Sequence, residues 1–519
     1  MKKRFNTTGT CIENKHYMVN IENKLDKIES MVSFGDYFII NRPRQYGKTT
    51  TLYKIYNRLS NNYIIIKISF EGIGDLIFES EEYFSKEILN IFVDSLEFEN
   101  EEYSNILRQY STEVKNLKDV SKILTRFLKT IDKEVILIID EVDKSSNNQL
   151  FLSFLGMLRN KYLLANENRD ITFKSVILAG VYDIKNLKLK ISDNKEKKLN
   201  SPWNIAVNFN VDMSFDAYEI KTMLDEYNLL NNLTMDTQIL SQKLYYYTSG
   251  YPFLVSRLCQ IIDEDILIEK RNWTIKDLEV ALKYLLKEKN TLFDDLIKNL
   301  KNNNELYNYI FDIVVNGVEH LFNIDNTIID LGCTYGILKE SNGIVKIHNR
   351  TFEQRIYNYM ISTLDSQSLS ISNYNFRDNF INKDGSLDFE KILLKFQQFM
   401  KEQHSNNNDK FIEHHARLLF LSFIKPIING VGFDFKEVQI SEEKRLDVVI
   451  TYNKFKYIVE LKIWKGAEYH KKGLSQLSDY LDIHSINEGY MVIFNFNKGK
   501  EYKQEQISIE GKDIFAVYV

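Results

Sequence analysis

The sequence predicts an α/β protein with two sheet-bearing parts joined by helices. Two observations support this fold class. Apolar runs of strand length alternate with amphipathic helices over residues 1–213, and a similar mixture returns over 386–519. The chain of 519 residues has room for about three domains of typical size, each able to bury its own core.

Composition narrows the class of protein. Hydrophobic residues make up 44% and charged residues 27%, which predicts a globular chain. The net charge is -5, so nucleic-acid binding would have to be local. The three cysteines form no CxxC pair, which argues against a disulfide framework or a zinc site. Because no apolar run reaches the about 18 residues of a membrane span and the N-terminus lacks a signal region, we expect a cytoplasmic protein without membrane contact.

Apolar runs predict the first sheet. Buried parallel strands are expected at 37–40, 63–70, 135–140 and 175–180, with a fifth at 204–209. Helices are expected between them, for example at 50–60 and 151–164. Strands alternating with helices indicate a parallel sheet.

Helices without strands follow this sheet. The pattern changes after residue 213, and we predict a helical lid over 214–283. Further helices and a Ser-Asn-Gly hairpin signal over 284–362 indicate a winged helix. The polar segment 363–385 is predicted to be a linker.

A phosphate-binding loop is predicted where the first strand meets its helix. The segment IINRPRQYGKTT over 39–50 places Gly47, Lys48 and Thr49 at this junction. In a P-loop the helix N-terminus holds phosphates, the Lys reaches the β- and γ-phosphates, and the Thr hydroxyl binds Mg²⁺. Arg42 stands where the full pattern has its first Gly, so the motif alone also fits a helix start with a solvated Lys.

An acidic strand end supplies a second motif. The run VILIID ends at Asp140 and is followed by Glu141, which suits one carboxylate on Mg²⁺ and another that orients water. An ordinary strand exit is the alternative. Asp183 is a candidate γ-phosphate sensor, although an N-cap or loop role explains it equally well. Together the motifs predict binding and hydrolysis of ATP or GTP with Mg²⁺.

Residues 1 to about 360 resemble the bacterial AAA-like ATPases of the STAND-related P-loop group. The resemblance is carried by HYMV at 16–19, INRPRQYGKTT at 40–50, FEG at 70–72, LIIDEVDK at 137–144, ILAGVYD at 177–183 and GYPF at 250–253. It implies that loops without the first Gly are a feature of the group, that GYPF contacts the nucleotide, and that HYMV packs near the base. The predicted ATP-binding residues are Arg44, Gln45, Tyr46, Gly47, Lys48, Thr49, Thr50, Asp140, Asp183 and Pro252, with Thr49 and Asp140 also on Mg²⁺ and Glu141 catalytic.

The part over 386–519 contains a second group of reactive residues. Asp447 lies in RLDVVITY, and Glu460 and Lys462 lie in YIVELKIW on the next predicted strand. Strand alternation puts Glu460 and Lys462 on one face. Two carboxylates can bind a divalent cation, and the Lys can hold a water or stabilise pentavalent phosphorus. This is the minimal apparatus for phosphodiester hydrolysis.

Neighbouring residues agree with this hypothesis. Glu413 on the preceding helix can supply a further carboxylate, and Gln476 and Tyr480 share one face of the following helix. The window 444–472 holds eight Lys or Arg against three acids, a local net charge of +5 that suits a polyanion. A solvated hairpin with alternating charges is the alternative, although it does not explain a carboxylate at the centre of an apolar strand.

This part resembles the PD-(D/E)xK nuclease superfamily. The resemblance rests on Asp447, Glu460 and Lys462, with Glu413 and a QxxxY helix; Leu446 stands where the family name has Pro. It implies a restriction-endonuclease-like α/β/α domain that cleaves DNA. The implied catalytic residues are Asp447, Glu460, Lys462 and Gln476, and the implied metal ligands are Asp447, Glu460 and Glu413.

Two alternatives to an ATP-controlled nuclease remain open. In the first, a STAND-type switch binds ATP and its last domain holds nucleic acid or protein without cleaving. In the second, an element-encoded ATPase acts on DNA through the winged helix. Defence against phage or mobile elements and homo-oligomerisation rest on architecture and resemblance alone.

Overall fold

A computed structural model gives the fold of most of the chain. The residues that it describes are 3–72, 74–145, 148–181, 203–267, 269, 271–314, 318–366, 380–406, 418–424, 432–436, 448–452, 455–464, 466–496 and 500–519. The chain divides into two compact units, Met1–Leu306 with Leu321–Gln354 and Tyr307–His320 with Arg355–Val519. The predicted domain limits stay predictions.

The first unit is built on a four-stranded parallel sheet. Its strands are β1 (Phe38–Asn41), β2 (Ile64–Ser69), β3 (Val135–Asp140) and β4 (Ser175–Gly180), in the order β1-β4-β3-β2. All four lie where the apolar runs predict them. The fifth predicted strand, at 204–209, is wrong, because only Val207 forms a bridge, to Phe38. Residues 203–205 form a turn, which leaves little extended chain for pairing.

Helices cover both faces of this sheet. The helices up to β4 are α1 (Glu22–Phe34), α2 (Lys48–Leu59), α3 (Glu81–Glu97), α4 (Glu101–Tyr110), α5 (Leu117–Thr130) and α6 (Gln149–Asn166). Leu137 and Ile139 of β3 join a core with residues of α3, α5 and α6. The alternate residues Ile136 and Ile138 are also buried. The apolar runs are therefore continuous because both sides of each strand need cover.

A largely helical region follows, as predicted. It contains α7 (Ala217–Leu230), α8 (Thr237–Thr248), α9 (Pro252–Gln260), a π-helical turn (Ile261–Ile266), α10 (Ile275–Lys287), α11 (Thr291–Asn302), α12 (Asn304–Val314), α13 (Thr327–Thr334), β5 (Leu338–Ser341), β6 (Ile344–Ile347) and α14 (Arg350–Ser366). The β5–β6 hairpin turns at Asn342 and Gly343, both with positive φ, as the Ser-Asn-Gly signal predicts. The winged-helix assignment stays a prediction. None of the described helices is long and apolar enough to cross a membrane.

The second unit contains a six-stranded mixed sheet. Its strands are β7 (Gly432–Lys436), β8 (Val448–Tyr452), β9 (Phe455–Ile463), β10 (Glu488–Phe494), β11 (Gln504–Ile509) and β12 (Lys512–Tyr518), in the order β11-β12-β10-β9-β8-β7. β9, β10 and β12 are parallel, and β7, β8 and β11 each run antiparallel to their neighbours. The runs DFKEVQI at 434–440, RLDVVITY at 445–452, YIVELKIW at 457–464 and YMVIFNF at 490–496 predict β7 to β10, whereas no predicted strand corresponds to the hairpin β11–β12.

Helices also cover both faces of the second sheet. They are α15 (Phe389–Asn406), the helical residues 418–424 (α16) and α17 (Ala467–Ile483). On one face Phe396 of α15 contacts Phe420 of α16 and Phe494 of β10. On the other face Leu477 and Leu481 of α17 join the core of the sheet. The unit thus has three layers, while its relation to restriction-type nucleases stays a prediction.

Candidate active sites

The loop between β1 and α2 has the conformation of an anion-binding turn. Gln45 and Gly47 both have positive φ, at 57° and 80°. Gly47 caps α2, which begins at Lys48. The first N–H groups of a helix have no acceptor within the helix, and its dipole favours negative charge there. The loop can therefore hold phosphate oxygens at Lys48 and Thr49.

Lys48 lies inside this loop. Its Nζ donates to the carbonyl oxygens of Arg42 at 2.8 Å and Pro43 at 2.9 Å. Burial lowers the pKa of Lys48, and the nearby carboxylates of Asp143, Glu141 and Asp140 oppose this shift. The ammonium group is thus held between the loop and the acidic end of β3.

Three acidic residues, Asp140, Glu141 and Asp143, lie within four positions at the end of β3. Asp140 is buried and accepts a hydrogen bond from the backbone N–H of Glu141 at 2.9 Å. Burial raises the pKa of Asp140 and of Glu141, and the neighbouring acids raise both further. Glu141 has φ 54°, which turns the chain sharply after the strand. Each of these carboxylates disfavours ionisation of the others, because like charges repel in a partly buried site.

The third acid, Asp143, is missing from the sequence-based site. Its Oδ1 accepts a hydrogen bond from the backbone N–H of Val181 at 2.6 Å. It lies so close to Gly180 that a Cβ there would stand 2.0 Å from Oδ1. Asp143 therefore ties the acidic loop to the end of β4. The signal was present in the sequence as the second Asp of DEVDK, but only the fold shows what it contacts.

A cavity of about 520 Å³ opens beside the loop. Its lining includes Asn6–Gly9, Cys11, Tyr17–Val19, Arg44–Thr51, Glu71, Glu141, Pro252 and Phe253. The segments HYMV and GYPF thus lie at the same cavity as the loop, with a Cβ on Gly47 coming within 3.8 Å of Pro252. The volume is in the range of small-molecule sites. The cavity can accommodate a nucleotide whose phosphates lie at α2.

Other predicted nucleotide-binding residues have protein partners. Gln45 Nε2 donates a hydrogen bond to Thr291 Oγ1 at 2.6 Å, and Arg44 Nη1 lies 3.4 Å from Asp295 Oδ2. The Tyr46 hydroxyl lies 3.1 Å from His348 Nε2. These side chains therefore connect the loop to α11 and to the segment after β6. Thr50 Oγ1 likewise accepts a hydrogen bond from the backbone N–H of Cys11 at 3.1 Å. Thr49, in contrast, is exposed at the cavity. Asp183 lies outside the described residues.

We expect His348 to make the fold sensitive to acid. Burial, together with Lys339, lowers the pKa of His348 to about 3. As pH falls, His348 becomes protonated in the unfolded chain at a higher pH than in the folded chain. The neutral, buried His348 therefore stabilises the fold fully above pH ~6.5, and this stabilisation is lost as pH falls towards the folded pKa. The free energy of unfolding should decrease by roughly 1.4 kcal/mol per pH unit below pH ~6.5. The free energy of unfolding in urea, measured between about pH 7 and 5, should depend less steeply on pH in His348→Gln than in the wild-type protein. An equal pH dependence in the two proteins would contradict this.

The second candidate site lies on β9 in the second unit. Lys462 Nζ contacts Glu460 Oε1 at 3.0 Å and donates to Gln476 Oε1 of α17 at 2.9 Å. The predicted shared face of Glu460 and Lys462 is therefore confirmed. Glu460 is only 3% exposed, and its buried Oε2 has no hydrogen-bond partner among the described residues. A buried carboxylate oxygen without a donor suits a divalent cation.

Two predicted metal ligands, Glu413 and Asp447, lie outside the described residues. Val448, next to Asp447 in the sequence, pairs with Val459, next to Glu460. In the part of the chain that the structure describes, no three His, Cys, Asp or Glu side chains form a metal-binding group. The described portion of this site thus consists of Glu460, Lys462 and Gln476.

The chain is similar to a known protein family and to several solved structures. Residues 7–354 match the family model described as AAA-like domain. The Walker-type ATPase of Pyrococcus abyssi is 14% identical with a TM-score of 0.46, covering 68% of this chain and 99% of its own. The RuvB Holliday junction branch migration motor of Thermotoga maritima is 14% identical with a TM-score of 0.34, covering 65% and 94%. The Aeropyrum pernix ORC1 protein in complex with DNA is 12% identical with a TM-score of 0.30, covering 66% and 93%. No curated protein matches.

Proposed function

The chain belongs to the AAA-like domain family, and from this premise we propose that ATP hydrolysis in its first unit controls a metal-dependent nuclease in its second. The first unit is an ATP-binding P-loop ATPase. The observation that carries the nuclease is the buried carboxylate of Glu460 beside the ammonium of Lys462. We expect DNA to be the substrate.

The residues around the P-loop fit ATP and Mg²⁺. The N-terminus of α2 and Lys48 would hold the phosphates, and Thr49 and Asp140 would hold the cation. When bound, Mg²⁺ neutralises charge that develops on the phosphates. Glu141 lies at the cavity, and its raised pKa suits a group that accepts a proton from water. Asp143 keeps this acidic loop against β4.

Replacement of Glu141 by Gln tests the hydrolysis step. We expect turnover to fall by at least about 100-fold, because the amide cannot accept the proton, while ATP affinity stays within about threefold. Steady-state ATPase rates and equilibrium binding of ATP give the two values. Glu134→Gln is the control, since Glu134 precedes β3 at the opposite end and is 59% exposed. Equal rates in the wild-type protein and Glu141→Gln would remove Glu141 from the mechanism.

The second site fits phosphodiester hydrolysis. Glu460, with the predicted ligands Asp447 and Glu413, would hold a divalent cation, which supplies an activated water and stabilises charge on phosphorus when bound. Lys462 can place its ammonium group on the scissile phosphate. Gln476 fixes this ammonium by accepting its hydrogen bond. The exposed Lys471 and Lys472 add local positive charge for a polyanion.

A cleavage assay on the full chain tests this proposal. Plasmid and linear DNA and single-stranded RNA are incubated with Mg²⁺ or Mn²⁺, with and without ATP. We expect metal-dependent cleavage of DNA whose rate changes with ATP. ATP turnover without cleavage of any substrate would instead favour a non-cleaving STAND-type switch or an element-encoded DNA-transaction ATPase. We further propose a role in defence against phage or mobile elements, which plaque counts with and without the gene would test.

A further inference from the structure

A group of aromatic and basic side chains lies at one end of the second sheet. The parallel strands β9, β10 and β12 finish together there, where Trp464 N–H donates to Phe494 O at 2.8 Å. We call this group the aromatic edge; it consists of Trp464, His470, Phe496, Tyr502 and Tyr518 with Lys401, Lys500 and Lys503. The carboxyl ends of parallel strands are where open α/β sheets bind ligands.

Three rings form the centre of the aromatic edge. The ring centroids of Trp464 and His470 are 5.6 Å apart, those of Trp464 and Tyr518 are 5.9 Å apart, and those of His470 and Tyr518 are 6.1 Å apart. Trp464 and His470 are half-buried, whereas Tyr518 is buried. The two outer rings therefore have surface that a planar ligand can reach, and the buried Tyr518 supports them.

Lysines lie beside two of the tyrosine rings of the aromatic edge, Tyr518 on the side of α17 and Tyr502 on the side of α15. Lys503 Nζ lies 4.4 Å from the centroid of the Tyr518 ring, and Lys500 Nζ lies 5.7 Å from that of Tyr502. Lys401 of α15 lies at the same distance from Tyr502. Glu505 in this region pairs with Lys503 and accepts a hydrogen bond from the Tyr518 hydroxyl at 3.0 Å, and Glu501 lies between Lys500 and Tyr502 in the sequence. Lys401 and Lys500 bring positive charge next to ring faces.

The aromatic edge adjoins the Glu460 site through α17. His470, Gly473 and Gln476 are spaced by three residues, so they share a side of this helix. A Cβ on Gly473 would lie 3.2 Å from Lys462 Nζ, which shows how closely the helix passes over this lysine. His470 is one helical turn, about 5 Å, before Gly473. A polymer held at Lys462 would therefore reach Trp464 and His470 with its next unit.

We propose that the aromatic edge binds a single-stranded segment of nucleic acid, with bases on Trp464 and His470 on the side of α17 and the strand continuing around the end of the sheet towards Lys500 and Lys401 on the side of α15. The proposal rests on the proposed nuclease for its link to Glu460, but not for binding itself. Stacking on an aromatic side chain needs an unpaired base, because a duplex hides the base faces. Rings beside lysines therefore fit a single strand better than a duplex.

Tryptophan fluorescence tests this assignment on the full-length chain. Trp203 is 0% and Trp273 is 4% exposed, so a base that stacks at the surface should quench Trp464. Glu460→Gln in EDTA is titrated with an oligothymidylate of about 20 nucleotides, the matching oligouridylate and a DNA duplex of that length. We expect either single strand to quench the emission and to bind more tightly than the duplex. Absence of quenching, or tighter binding of the duplex, would overturn the proposal.

Variants separate stacking from general charge. In the Glu460→Gln background, Trp464→Ala should weaken oligothymidylate binding about tenfold, and Trp464→Phe should retain most of it because a ring remains. Ile483→Ala is the control, since Ile483 is 56% exposed at the other end of α17, away from Trp464 and His470. Equal affinity of Trp464→Ala and Ile483→Ala, with both folded by circular dichroism, would overturn the proposal.

The outcome also distinguishes the two proposals. If single strands bind and quench the Trp464 emission but the wild-type protein cleaves no nucleic acid, the nuclease proposal is contradicted and single-strand binding at the aromatic edge is supported. Cleavage of duplex DNA by the wild-type protein without quenching by single strands would do the reverse.

Discussion

Replacement of Lys48 by Ala should lower the ATPase kcat/KM by at least about 100-fold. The Lys48 ammonium group is held 2.8 Å and 2.9 Å from two carbonyl oxygens of its own loop, beside the helix N-terminus that would receive the phosphates. Alanine removes the ammonium group that the loop holds beside this helix N-terminus, so both ATP binding and stabilisation of charge in the transition state should weaken. Steady-state ATPase assays and equilibrium ATP binding measure the two effects.

The control for this variant is Lys86→Ala, since Lys86 is an exposed residue of α3 that pairs with Glu82. Both variants lose one positive charge, but only the first loses it at the cavity. Thermal unfolding should show that both remain folded. An ATPase rate in Lys48→Ala equal to that in Lys86→Ala would remove the loop from catalysis.

Replacement of Glu460 by Gln should lower DNA cleavage by at least about 100-fold. The amide keeps the size of the side chain and can still contact Lys462, but it removes the negative charge that would bind the cation. DNA affinity and ATP turnover should remain within about threefold, because neither depends on this charge. Initial rates of plasmid nicking in Mg²⁺, with filter binding in EDTA, measure both.

The control for this second variant is Glu468→Gln. Glu468 is an exposed residue in the first turn of α17, so this change removes the same charge from the same unit without touching β9. If Glu460→Gln cleaves as fast as Glu468→Gln, the phosphodiester chemistry does not take place at Glu460.

The first sheet could be predicted because its strands are buried on both faces. Continuous apolar runs of strand length such as VILIID and SVILAG are typical of parallel strands that are covered on both sides. The segment at 204–209 has similar residues, but Val207 is 37% exposed at the outer side of β1 and forms one bridge only. The distinction between a buried strand and an edge contact depends on tertiary structure, which local pattern does not contain.

The hairpin β11–β12 was missed for a related reason. β11 alternates half-buried and exposed residues and carries two Gln and a Glu, so its hydrophobic signal is weak. It is stabilised by pairing with β12, which in turn lies beside β10. The strand propensity of such a segment depends on the neighbour that receives it.

Contacts within one strand of a candidate site were predictable, whereas contacts between distant parts of the chain were not. The pair Glu460 and Lys462 was predictable because two residues of one strand share a face by geometry alone. The contacts of Asp143 with β4 and of Tyr46 with His348 join residues 38 and 302 positions apart. Such long-range partners follow from the fold and leave little trace in local sequence.

Binding of Mn²⁺ to the nucleotide-free chain tests the central claim most directly, namely that the carboxylate of Glu460 holds a divalent cation. Titration calorimetry should show a site in the wild-type protein and in Glu468→Gln that is lost in Glu460→Gln. Identical Mn²⁺ binding by all three proteins, or none by any of them, would contradict the account and leave an ATPase with a second unit that does not hydrolyse phosphodiesters.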